Sequence, residues 1–248
     1  MQEHIKFKNQ RDKFLSAILN NGRPNSPLLI LVHGFAGNKD ENGLFVEAED
    51  YFATKGLNTF RFDLEGVGES EGDFRETTLT KQASDLESAI SYLANMYSSA
   101  KIGVIGFSLG ATIAILNKNP KVDFYVFWSP AIYPAVDMFP RYHTPKILNE
   151  LQAKGYVDKG KLKVGSPIIE DFKTCNLESE IEKMSNPVLL VHGTKDPRIN
   201  YLGTIKAKPL FLNSHLEIIE GANHSYKENP QHRQILFDKT YQWIQKNL

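Results

Sequence analysis

Apolar runs of strand length recur along the chain without the alternation of a half-exposed strand. They cover residues 28–32, 57–62, 101–105 and 122–128, and then 188–191 and 216–220. Such runs suit strands covered on both faces. Between them, apolar positions return at helical spacing over about 44–55, 79–97 and 109–118, and a last helical stretch spans about 230–246. This order predicts a mostly parallel twisted sheet with helices on both faces. Residues 4–9 and 13–20 precede it as two strands, and the turn residues 22–27 follow them, which predicts an antiparallel N-terminal start. The rhythm fails between about 130 and 186, where Pro130, Pro134, Pro140, Pro145 and Pro167 intervene and Asp158-Lys159-Gly160-Lys161 marks a hairpin. The expectation is a single α/β domain over 1–248 with a small inserted cap over about 131–186, and no repeat or low-complexity tract.

Charge narrows the function classes. Lys plus Arg and Asp plus Glu number 29 each in 248 residues, so no summed positive field draws nucleic acid or an anionic membrane. No apolar stretch reaches membrane-spanning length, and the first residues alternate polar with apolar rather than forming a signal-peptide centre. A cytoplasmic protein with no nucleic-acid partner and no membrane insertion is expected. The single cysteine, Cys175, has no partner for an internal disulfide and reads as a partly buried small residue. The histidines and this cysteine show no metal-ligand spacing, so no metal is expected.

The candidate chemistry begins at Gly106-Phe107-Ser108-Leu109-Gly110, between an apolar strand and an apolar helical pattern. A serine on such a strand-to-helix turn is held with its hydroxyl above the sheet edge, which makes Ser108 the candidate nucleophile. Gly68 to Gly72 repeats the pattern around Ser70, but Asp73-Phe74-Arg75-Glu76 follows without a buried helical face, so Ser70 reads as a loop residue. Asp196, just beyond the run 188–191, is the candidate acid; its competing role is to cap the next helix ahead of Pro197. Asp137 and Asp171 are the substitutes. His224 follows the run 216–220 and alone among the seven histidines fits the order Ser, Asp, His. His143, His215 and His232 read as surface residues, and His192 as satisfying a backbone group near the site. His33-Gly34-Phe35-Ala36-Gly37 ends the run 28–32, which assigns the oxyanion donors to the N–H groups of Phe35 and Leu109.

Together with Asp63-Leu-Glu-Gly-Val-Gly-Glu-Ser-Glu-Gly72, these motifs stand in an order that resembles the α/β-hydrolase family over nearly the whole chain. The chain looks most like small carboxylesterases of the feruloyl or cinnamoyl type, and is more distantly similar to monoacylglycerol lipases. Many relatives carry Arg and His in the turn where this chain has Glu65 and Val67. The resemblance implies hydrolysis of a small-molecule ester, of short to medium or aromatic acyl chain, through an acyl-enzyme on a Ser108, Asp196, His224 triad without a cofactor. Within the insertion, Ile132, Tyr133, Phe139, Tyr142, Tyr156 and Phe172 are the candidate substrate-binding residues of the acyl pocket. A thioesterase, a monoacylglycerol lipase or an acyltransferase would use the same triad. Gly106 to Ala111 also reads as a degraded dinucleotide turn with Ser108 at its middle glycine, which keeps an NAD(P)-binding oxidoreductase as a remote alternative beside a non-catalytic binding module. The oligomeric state stays open, a homodimer included.

Overall fold

The chain opens on two strands, β1 (Gln2–Lys8) and β2 (Phe14–Asn20), that pair antiparallel. The computed structural model describes residues 2–23, 26–97 and 100–247; the expected turn at 22–27 lies partly outside them, at Pro24 and Asn25. The first strand stops at Lys8 because Asn9 turns the chain, its side-chain oxygen accepting the N–H groups of Arg11 (2.9 Å) and Lys13 (3.0 Å). Alternation then follows through β3 (Leu28–Val32), α1 (Leu44–Thr54), β4 (Asn58–Phe62), α2 (Leu79–Met96), β5 (Ile102–Phe107), α3 (Leu109–Asn117) and β6 (Phe124–Trp128). It resumes with β9 (Val188–Gly193), α9 (Tyr201–Ala207), β10 (Ser214–Ile219) and α10 (Pro230–Asn247).

Between β6 and β9 lie the short helices α4 (Pro134–Asp137), α5 (Phe139–Tyr142) and α6 (Pro145–Lys154), the hairpin of β7 (Tyr156–Lys159) and β8 (Leu162–Gly165), and the helices α7 (Ser166–Thr174) and α8 (Glu178–Ile181). The prolines that break the sequence rhythm act here as helix starts. Pro134, Pro140, Pro145 and Pro167 occupy the first turns of α4 to α7, where a missing N–H costs nothing.

The eight-stranded sheet runs β1-β2-β4-β3-β5-β6-β9-β10. Only β1 with β2 and β2 with β4 are antiparallel; the remaining pairs are parallel. The runs lack polar alternation because both faces are covered. In β3, Leu28, Ile30 and Val32 belong to one apolar cluster and Leu29 and Leu31 to the other. The first cluster lies under α2, α3 and the segment after β6, the second under α1 and α10. Helix α2 shows the matching pattern: Leu79, Ala83, Leu86, Ile90 and Leu93 are buried, and the Thr78 hydroxyl caps its first turn by accepting the Lys81 N–H (3.0 Å). Strand β10 begins at Ser214, two residues before the apolar run expected, because Ser214 and His215 already pair with Val188 and Leu189. Cys175 is half-buried, and burial pushes its thiol up to about 11, away from the thiolate. No helix among the described residues is long and apolar enough to cross a membrane.

Candidate active site

The carboxyl ends of β5, β9 and β10 meet at one edge of the parallel sheet, where open α/β folds gather their reactive groups. Ser108 occupies the turn from β5 into α3 with φ 53° and ψ −115°, a left-handed backbone for a residue with a side chain. Two glycines make that turn possible. A Cβ on Gly110 would lie 2.1 Å from the Val32 carbonyl oxygen, and one on Gly106 would lie 2.7 Å from the backbone of Gly110 and Ala111. The chain is anchored on both sides, with the Ser108 N–H donating to the Trp128 carbonyl (2.9 Å) and the Ala131 N–H to the Ser108 carbonyl (3.1 Å).

His224 reaches this serine from the loop after β10. Its Nε2 is 3.1 Å from Ser108 Oγ, and its Nδ1 is 2.6 Å from Asp196 Oδ2. With the proton on Nδ1, His224 donates to the carboxylate and accepts from the hydroxyl. The ring packs on Phe107 at 4.9 Å between centroids, and the Ser129 hydroxyl donates to the His224 carbonyl (3.1 Å). Asp196 lies in the loop after β9 with its side chain fully buried. Its Oδ1 accepts the N–H groups of Arg198 (2.8 Å) and Ile199 (2.9 Å). Asp196 therefore closes a turn with one oxygen and holds a histidine with the other, but it does not cap the next helix: Asn200 does, its side chain accepting the Leu202 N–H (3.0 Å) at the start of α9.

His192 does more than satisfy a backbone group. Its Nε2 lies 3.2 Å from the Ile199 carbonyl but also 3.0 Å from Asp196 Oδ2, while the Thr204 hydroxyl meets Nδ1 at 2.7 Å. Burial opposes ionisation of Asp196, yet the hydrogen bonds from His192 and His224 outweigh it and hold the carboxyl well below its usual range. Burial pushes His224 below its ordinary value in spite of the Asp196 charge beside it. Neither substitute acid takes part: Asp171 accepts the Leu79 N–H (2.6 Å) and Asp137 faces the Asn200 N–H (3.5 Å). Ser70 is a loop residue whose hydroxyl donates to the Asp63 carbonyl (2.7 Å). His143 and His215 are exposed, whereas His232 is half-buried.

The loop after β3 lies against the serine, since a Cβ on Gly34 would sit 3.2 Å from Ser108 Cβ. Among the described residues, neither the Phe35 N–H nor the Leu109 N–H donates to another protein group. Two buried side chains hold this loop, and sequence reading missed one of them. Glu41 Oε2 accepts the Gly34 N–H (2.8 Å), and burial raises its carboxyl to about 7. His33 Nδ1 meets the Gly34 carbonyl (2.9 Å), and the Leu64 N–H donates to His33 Nε2 (3.2 Å). A lone carboxylate eight residues past His33 carries no sequence signal of that role.

The cavity at Ser108 is narrow, about 60 Å³, and its wall includes Phe35, Tyr142, Lys159 and Arg198 beside His224. Of the six aromatic and aliphatic residues expected to line a pocket, Tyr142 alone does so. Phe172 stands behind the wall, fully buried, its ring 5.1 Å from Phe35 and 6.2 Å from Tyr142. Ile132 is core, Tyr133 reaches Glu178 (3.3 Å), Phe139 stacks on His143 at 4.8 Å, and Tyr156 lies beneath Lys163 at 4.6 Å. Among the described residues no three His, Cys, Asp or Glu gather as a metal site. A hydroxyl held by an imidazole, itself held by a buried carboxylate, can lose its proton as it attacks a carbonyl, and free N–H groups nearby can receive the oxyanion.

A family model described as Hydrolase_4: Serine aminopeptidase, S33 matches residues 23–165. The chain is 27% identical over 217 residues to the mitochondrial palmitoyl-protein thioesterase ABHD10 of Bos taurus, covering 82% of this chain and 68% of that one. It is 21% identical over 252 residues to a monoacylglycerol lipase of Mycolicibacterium smegmatis, covering 89% of each. Among solved structures, ferulic-acid-bound Est1E from Butyrivibrio proteoclasticus superimposes with a TM-score of 0.85 at 22% identity over 98% of both chains. The mouse alpha/beta hydrolase domain-containing protein 10 does so with a TM-score of 0.75 at 20% identity, over 98% of this chain and 99% of that one. The fold is that of the α/β-hydrolases.

Proposed function

This chain belongs to the α/β-hydrolase family described as Serine aminopeptidase, S33, and on that premise we propose that it hydrolyses carboxylic esters of short to medium or aromatic acyl groups. Ser108 attacks the ester carbonyl while His224 Nε2 takes its proton. The N–H groups of Phe35 and Leu109 receive the developing oxyanion, and Asp196 steadies the imidazolium. His224 then protonates the departing alcohol, and water hydrolyses the acyl-enzyme by the reverse relay. The observation that carries this reading is the unbroken line from Asp196 Oδ2 through His224 to Ser108 Oγ, at 2.6 and 3.1 Å, on a serine with positive φ. In this reading residues 131–186 act as the cap that closes the acyl pocket, and the protein works in the cytoplasm on a small-molecule ester.

The test is hydrolysis of 4-nitrophenyl esters of increasing chain length by the parent and by Ser108→Ala, both shown to be folded. The parent turns over and the variant falls by about 10⁴-fold or more; equal activity in the two would remove Ser108 from the mechanism. The name of the bovine relative favours thioesters as the second reading. The same acyl series presented as thioesters separates the two, and a kcat/KM preference for sulfur over oxygen would make thioester hydrolysis the better description.

A further inference from the structure

The wall of the cavity is cationic in a chain whose charges balance. Arg141, Lys159 and Arg198 line the space around Ser108 and His224, and Glu41 is the single carboxylate among the lining residues, although the whole chain has 29 basic and 29 acidic side chains. The three bases come from three elements, α5, β7 and the loop after β9, so their convergence is a product of the fold. Among the described residues, no carboxylate lies within salt-bridge distance of any of them. Asp137 and Glu41 feel the positive fields of Arg141 and Arg198 respectively, without pairing with them.

Two of the three cations, Arg141 and Lys159, are held in place by other means. The Arg141 guanidinium donates to the Arg198 carbonyl and so ties the segment after β6 to the loop that carries Asp196. Lys159 Nζ donates to the Tyr142 hydroxyl at 2.7 Å and lies 5.2 Å from the ring centroid of Phe35 and 5.4 Å from that of Tyr142. Burial, then the fields of Arg198 and Arg141, push this ammonium below its ordinary value. Three like charges around one small cavity repel each other, and a bound anion relieves that repulsion.

Resting on the ester-hydrolase reading, we propose that the cavity selects esters carrying a carboxylate a few bonds from the scissile carbonyl, received by Arg141, Lys159 and Arg198 while Ser108 meets the carbonyl. The bonds made and broken are those of ordinary ester hydrolysis; the second carboxylate is recognised and left unchanged. The positive wall favours the charged form of a substrate over a neutral ester of the same size.

Two matched pairs test this and locate the anion. On the acyl side, the 4-nitrophenyl half-ester of adipate is compared with 4-nitrophenyl hexanoate. On the alcohol side, 3-carboxyphenyl butanoate is compared with 3-carbamoylphenyl butanoate. The expected kcat/KM ratio favours the charged member by roughly tenfold in at least one pair, the scale of one hydrogen-bonded charge. Lys159→Met and Arg198→Gln, each shown to be folded, bring that ratio towards one, and Lys159→Arg keeps it. A ratio at or below one in both pairs, or a ratio that the two neutralising variants leave alone, overturns the proposal.

Failure of the underlying reading looks different: no ester is cleaved and Ser108 does not react with a fluorophosphonate probe. In that event calorimetric titration of adipate into the intact protein decides the anion site. Binding weakened by Lys159→Met supports it, and no binding overturns it.

Discussion

Asp196 divides its two oxygens between structure and chemistry, one closing the turn to Ile199 and the other receiving both His192 and His224. The consequence for His224 is measurable as a pH profile. Burial lowers its pKa from the ordinary 6.5, and a general base acts only when its Nε2 is unprotonated, so the acid limb of kcat/KM falls at a pH below 6.5. Glu41, raised to about 7 beside the Gly34 N–H, titrates close enough to be mistaken for this limb. Glu41→Gln separates them, since it removes one titration and leaves the other. A profile whose acid limb stands at pH 7 or above in that variant would show that the imidazole is not the group being read.

At the level of elements, the strand-to-helix turn depends on backbone approach more than on the serine itself. Gly110→Ala sets a methyl group 2.1 Å from the Val32 carbonyl oxygen, and β3 and α3 have to separate to admit it. The expected cost is about 3 kcal/mol in a denaturant titration. Gly22→Ala, which meets nothing within 4 Å, is the control, and equal midpoints for the two variants would contradict the close approach. This element was legible in the sequence because strand, turn and helix each have a pattern, and so were the paired core strands and the positions of Asp196 and His224 after theirs. The pocket wall was not. Ile132 and Phe172 are as apolar as any pocket residue, and only tertiary packing decides that they are core while Tyr142 faces the cavity. Helices α4, α5 and α8 have four residues each, too few to establish a period, and nothing in the sequence says that Lys159 and Arg198, both exposed in the structure, reach the same cavity.

For the molecule as a whole, the sheet separates two apolar clusters with unequal relations to the site. Phe172 belongs to the first and supports Phe35 and Tyr142; Phe237 belongs to the second and packs 5.8 Å from Trp128. Truncation of either to alanine is expected to cost about 3–5 kcal/mol of stability. Only Phe172→Ala should also lower kcat on esters, because it loosens the ring stack that backs the loop of Phe35. Matched thermal midpoints with a kcat defect confined to Phe172→Ala would bear this out; matched kinetics would detach the cluster from the site. The order of the strands has one more consequence, for colloidal behaviour. An open sheet ends in two rows of unpaired backbone groups, here along β1 and β10, and each invites a foreign strand. Along β1, Glu3, Lys6 and Lys8 are exposed, and on β10 His215 and Glu217 pair at 2.9 Å. These polar fringes oppose strand addition at both ends of the sheet, so that its open edges are disfavoured as templates for a foreign strand.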